Sequence, residues 1–181
     1  MVEVFLQVRR TPTVSGTLMD YMNYQQTVAH QCEWVTRNLA YNLDFIPDDK
    51  LTWKPAPDAK SALDIVEHML LTFAALPMYL HSEDPADLKV EPVTEREDAK
   101  ARLIEAGQNY AALLRDLPDS ALQGDLQMRN FALPRPRAIM MPVVDAIHHH
   151  GQIAYIQTLL GDKEVHFEMS TFVGKDEADN G

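Results

Sequence analysis

The stretch Asp145-Ala-Ile-His148-His149-His150-Gly151-Gln152 lies inside the last long apolar segment of a 181-residue chain and carries three of its seven histidines in a row. Residues three and four apart share a helix face, so Asp145 can pair with His148 or with His149. With Asp145 as the zero of a helical wheel, His149 lies about 40° away, Gln152 about −20° and His148 about −60°. Asp145, His149 and Gln152 therefore share the core-facing side with Met141, Ile156 and Leu159, while His150 points well off it. A buried carboxylate without a partner costs several kcal/mol, a penalty that a cation would offset.

Working outward, the rest of the chain reads as helices that would surround this segment. Between about Thr17 and Phe45, Val28, Cys32, Val35, Leu39 and Leu43 form one apolar stripe, with Gln31, Glu33, Arg37 and Asn38 turned elsewhere. Residues 51–60 read as a loop containing Pro55, Pro57 and Asp58. Ser61 with Asp64 is an N-cap arrangement for a second helix carrying Leu63, Val66, Leu70, Phe73 and Leu76, with Ile65 and Met69 beside them. Pro77 interrupts or kinks that helix, which fades out near the cap residue His81. The polar join 82–92 is long for adjacent antiparallel helices and suits a crossover. Thr94-Glu-Arg-Glu97 has the form of a capping box opening helix three, whose stripe is Ala99, Leu103, Ala106, Tyr110, Leu113 and Leu117. Residues 119–136 look irregular, and helix four runs to Leu160 with Gly161 as its C-terminal cap. Pro142 either starts the regular part of helix four, which would put Asp145 in the first turns, or kinks it.

Four such helices make an all-α four-helix bundle the expected architecture. One domain spans residues 1–181, with a core of about 17–161, an N-terminal arm 1–16 and a C-terminal tail 162–181. Residues 2–8 alternate weakly as a strand or arm would, 164–173 could form a short strand or packed arm, and 175–181 reads as a frayed acidic end. A net charge of −11 argues against a nucleic-acid binder and against docking on an anionic membrane. No uninterrupted apolar run approaches the length of a membrane span. Cys32, the single cysteine, forms no internal disulfide and reads as a small core residue. With no secretory pattern in the first ten residues, the expected location is the cytoplasm.

On helix two, His68 lies near Ile65 and Leu71, beside the inward-facing row. Two imidazoles and one carboxylate projecting from facing helices form a metal set with open positions. Each residue also has a plainer reading. A lone histidine on an apolar face is more often a hydrogen-bonded core residue than a ligand. The histidine run also suits a solvated face, and Asp145 a salt bridge. Arg135 and Arg137 lie too far back to supply that bridge, so the partner must come from another element. Asp64 and His68 could form a local pair that orients the ring. Trp34, Trp53, Tyr41 and Tyr155 suit a pocket lining and a core equally well.

The loop Asp49-Lys-Leu-Thr-Trp53-Lys-Pro-Ala-Pro57 before a helix-two histidine, and the helix-four run ending His150-Gly151-Gln152-Ile153, resemble the DinB/YfiT-like superfamily of metalloenzymes. The family's fourth helix reads H-x-x-x-H-x-G-Q-I with two histidine ligands. Matched back from Gly151-Gln152, His149 takes the second ligand position and Asp145 the first, with His68 as the helix-two ligand. His148 is the rival to His149 on spacing alone. The usual three histidines thus become two histidines and an aspartate. The resemblance covers about residues 17–160.

It implies an up-down-down-up bundle with a long crossover between helices two and three, a divalent metal (Zn²⁺, Ni²⁺ or Fe²⁺), and a homodimer. It also implies a small-molecule substrate and, by analogy with better-understood relatives, transfer chemistry with a low-molecular-weight thiol whose thiolate the metal stabilises. Gln152 and Tyr155 become candidates for supporting or substrate-contacting roles. The alternatives are a non-catalytic binding or dimerisation module with a structural metal or none, and a metal-dependent hydrolase.

Overall fold

The computed structural model describes residues 23–168. The expected arm at 2–8, the first turns anticipated from Thr17 and the end 175–181 lie outside them. Four long helices account for most of what is described: α1 (Tyr24–Leu43), α2 (Ala62–Leu80), α3 (Arg96–Asp116) and α4 (Arg135–Leu159). Residues 119–134, expected to be irregular, hold a short 3₁₀ turn and an antiparallel hairpin, β1 (Asp125–Gln127) with β2 (Ala132–Pro134), pairing Leu126 with Leu133.

Named contacts fix the helix directions. Tyr24 reaches Pro136 at one end of α1, and Gln157 donates to Asn42 at the other, so α1 and α4 run parallel. Lys100 pairs with Asp44, and Arg115 with Glu33, so α3 runs opposite to α1. Val93, just before α3, donates to Glu67 in the first half of α2, and Tyr110 packs on Phe73 farther along, so α2 and α3 are parallel. The result is the up-down-down-up bundle. The join 81–95 must return along the bundle, which explains its length.

The stripes of α1 and α2 are buried as the periodicity requires. That of α3 drifts: Gly107, Ala111 and Leu114 are buried, while Ala106, Leu113 and Leu117 sit at its edge. Asn38, turned off the α1 stripe, is buried all the same, because residues 162–168 lie over it as a packed arm without strand structure and Glu168 N–H donates to its side chain.

Ser61 and Asp64 make both bonds of a capping box at the start of α2. At α3 the expected box is not made: the helix begins one residue later, at an N-cap Glu95 with no side-chain cap bond, and Arg96 ties this end to Ile46 and Asp48. Both internal prolines, Pro77 and Pro142, are accommodated within their helices. Helix α4 begins at Arg135, with Pro134 and Pro136 at its opening, so Asp145 lies mid-helix rather than in the first turns. Helix α2 is long and apolar enough on average to cross a membrane. Glu67 and His68 interrupt its apolar run, and its core-facing side packs on α3 and α4.

Candidate metal centre

The middle of α2 faces the middle of α4, and there the structure brings His68, Asp145 and His149 together, with one donor atom of each within 4.8 Å of the others. Asp145 Oδ2 is 2.9 Å from His68 Nε2, and Oδ1 is 3.5 Å from His149 Nε2. Ligands of a tetrahedral zinc at about 2.0–2.1 Å stand about 3.3 Å apart. The two separations, each to a different Asp145 oxygen, lie near that value, and all three donors fall within 4.8 Å of one another, so donor types and spacing suit a small divalent cation once the side chains close around it. His68 is also the partner from another element that Asp145 requires. Thr72, one turn beyond His68, donates to the same carboxylate oxygen at 3.4 Å.

The local pair between Asp64 and His68 is not made. Asp64 is engaged by Ser61 N–H and by Lys54 at 2.7 Å, which leaves the His68 ring to α4. His149 is 4% exposed, whereas the side chains of His68 and Asp145 are 35% and 34% exposed. Burial pushes the His149 imidazole below its ordinary pKa, against the pull of Gln152 and Asp145, so the ring is held neutral as a ligand requires.

The three consecutive histidines diverge. His148 is exposed and touches Gln152. His150 does face away from the centre, but into packing rather than solvent: Asn42 lies 3.2 Å from its Nε2, the Phe167 ring is 5.4 Å away, and burial lowers its pKa. Gln152 sits beside His149, with Oε1 2.6 Å from Nδ1. Leu159, placed by the wheel on the core side, is exposed at the end of α4.

Two grooves share the wall Asp58–Lys60, one reaching His68 and the other reaching Gln152, which contacts His149. One, of about 400 Å³, is mixed in character, lined by Lys54, Lys60, Asp64, Glu67 and His68 together with Leu71 and Val90. The other, of about 370 Å³, is more apolar and is lined by Pro55, Ala59, Gln152, Tyr155 and Ile156. Tyr155 therefore lines a groove. Trp34 packs instead against Phe167, and Tyr41 against Phe45. The grooves were not legible beforehand, because they form where the 54–60 loop meets helices distant in sequence.

Fold and site together define a four-helix bundle with a candidate histidine–aspartate–histidine metal centre between its second and fourth helices. The sequence model of the DinB superfamily matches residues 31–153, more than half of the chain, and the chain belongs to that superfamily. Among solved structures, YjoA, a DinB-like protein of Bacillus subtilis, matches with a TM-score of 0.61 at 22% identity, over 80% of this chain and 97% of its own. YfiT of Bacillus subtilis, described as a probable metal-dependent hydrolase with an unusual four-helix bundle topology, matches with a TM-score of 0.60 at 17% identity, over 84% of this chain and 94% of its own. No curated protein matches the sequence.

Proposed function

We propose that the protein is a cytoplasmic enzyme in which His68, Asp145 and His149 hold Zn²⁺, Ni²⁺ or Fe²⁺ and leave coordination positions open to a small molecule. One observation carries this reading: three donor atoms converge from two helices at a site closed on the His149 side and open at His68 and Asp145. A set of three protein ligands with an open side belongs to chemistry rather than to a structural plug. When bound, the metal supplies Lewis acidity that lowers the pKa of a thiol or water it contacts. Asp145 adds negative charge to the donor set, Thr72 steadies its carboxylate, and the buried wall at His149 excludes water from one side.

The reaction proposed is S-transfer with a low-molecular-weight thiol as cosubstrate. The thiol sulfur bonds to an electrophilic carbon as its proton and the leaving group depart. A groove of mixed character that reaches His68, and a more apolar one that reaches Gln152 beside His149, support two organic substrates, a thiol in the first and a less polar electrophile in the second. Metal-assisted hydrolysis is the second reading, favoured by the description of YfiT. The test begins with elemental analysis of untagged protein and of His68→Ala, Asp145→Ala and His149→Ala variants. Consumption of a chlorodinitrobenzene probe that requires both metal and added thiol supports transfer. Ester cleavage without thiol supports hydrolysis, and unchanged metal content in all three variants refutes the site.

The proposal includes a homodimer. Between Arg137 and Asp162, α4 carries one formal charge, Asp145, in a chain of net charge −11. Its open side presents Val144, Ile147, Tyr155 and Leu159 around Gly151, where an added Cβ would meet nothing. Such an uncharged face is where two copies approach with least repulsion. Sedimentation of wild type as a dimer and of Ile147→Glu as a monomer is expected; a monomeric wild type refutes it.

A further inference from the structure

Gln152 stands between two histidines, and its position rests on helix geometry alone. It lies three residues after His149 and four after His148, so one side chain can reach both rings. Its Oε1 is 2.6 Å from His149 Nδ1, and its Nε2 is 2.9 Å from His148 Nε2. A carboxamide oxygen only accepts, and the nitrogen only donates. The first contact therefore calls for a proton on His149 Nδ1, and the second for a bare Nε2 on His148. A neutral His149 protonated at Nδ1 carries its lone pair on Nε2. That nitrogen is the one that faces Asp145.

Which nitrogen of a histidine is free to ligate is set by the hydrogen bond that the other makes. We propose that Gln152 is a positioning residue: its carboxamide, aligned by His148, holds His149 as the Nδ1–H tautomer and aims Nε2 at the space shared with His68 and Asp145. The inference rests on the reading of His149 as a ligand. The reverse orientation of the amide would place the proton on His149 Nε2 and block the donor that faces the centre. His148 thereby gains a role other than ligation, as the acceptor that decides which end of the amide His149 meets.

The test uses Zn²⁺ alone as probe, with affinity measured by chelator competition, together with ¹⁵N NMR of the histidine rings in metal-free protein. Gln152→Leu is expected to loosen Zn²⁺ by about 10–100-fold and to shift His149 away from the Nδ1–H form, with the thermal unfolding of metal-free protein unchanged. Gln152→Glu keeps an acceptor for Nδ1 and is expected to hold Zn²⁺ close to the wild-type affinity, although it gives up the donor to His148. Gln152→Ala serves the same comparison should leucine disturb the packing. Wild-type affinity in both the Leu and Ala variants, equal loosening in the Leu and Glu variants, or a wild-type His149 protonated at Nε2 would each overturn the positioning role. A wild-type protein that binds no Zn²⁺, or a His149→Ala variant that binds it unchanged, would instead overturn the metal reading itself.

Discussion

Helix α3 passes α1 closely at Gly107, and replacing that glycine with alanine probes the pairing on which the helix directions depend. A Cβ at this position would stand 2.7 Å from Thr36 Cγ2 and 2.9 Å from Thr36 Cβ. Carbon atoms in favourable contact are about 3.5–4.0 Å apart, so about 1 Å would have to be recovered. Thr36 has little room to yield. It is 1% exposed, its hydroxyl donates to Cys32 O at 2.9 Å, and its Cβ is fixed to the α1 backbone. The helices must therefore separate where Cys32 Sγ now lies 3.5 Å from Gly107 O. Overpacking costs about 1–3 kcal/mol, and a clash reaching a Cβ belongs at the upper end. The better helix propensity of alanine offsets about 1 kcal/mol, leaving a net loss of about 2 kcal/mol. With a urea dependence of about 1–3 kcal/mol/M, the unfolding midpoint should fall by about 1 M. Adding Thr36→Ala removes the outer atoms but not the Cβ, so it should restore part of the loss and show coupling in a double-mutant cycle. A Gly107→Ala protein as stable as wild type would refute the close approach of α1 and α3.

Three further outcomes are expected. Zn²⁺ at about 100 times its dissociation constant should stabilise the folded state by about 2.7 kcal/mol, raising the unfolding midpoint by about 5–10 °C. The rise should disappear in Asp145→Ala, and an equal rise there would locate the ion elsewhere. The hydrogen bonds from Arg115 hold the Glu33 carboxyl below its ordinary pKa, so its contribution to stability is present above the unfolded-state value and is lost as pH falls through the folded one. Glu33→Gln should cost about 0.5–1 kcal/mol at neutral pH, with the gap to wild type narrowing as urea titrations are taken to pH below the ordinary carboxylate range; a gap independent of pH would refute this. Burial pushes the Cys32 thiol up to about 12. It should resist a disulfide reagent in native buffer and react once urea unfolds the chain, and rapid native reaction would contradict its place in the core.

What was legible in the sequence follows from how far a local pattern can reach. Val28, Cys32, Val35, Leu39 and Leu43 announce a buried face because the helix period alone puts them there, and all five are fully buried. Helix directions depend on contacts such as Gln157 with Asn42, far apart in sequence; the length of the 82–92 join suited a crossover, and the up-down-down-up order came from the family resemblance. Pro142 offered a second starting point for α4, but Pro134 and Pro136 fit the first turn without loss, so the earlier start prevails. Asn38 read as lying off the apolar stripe, and nothing in its own helix foretells the arm that covers it. The candidate centre was legible as far as Asp145 and His149 share a face, and His68 needed the family register to stand out. The histidine run shows where such reading ends. Each step of about 100° along α4 sends the next ring to a different neighbour. His148 goes to the Gln152 amide, His149 to α2, and His150 to Asn42 and Phe167. A run that looks like one cluster of ligands is therefore divided, with His148 and His149 linked through the Gln152 amide and His150 turned to other partners. Only the position between the helices offers a second histidine and a carboxylate, and for that reason His149 rather than His148 is the proposed ligand.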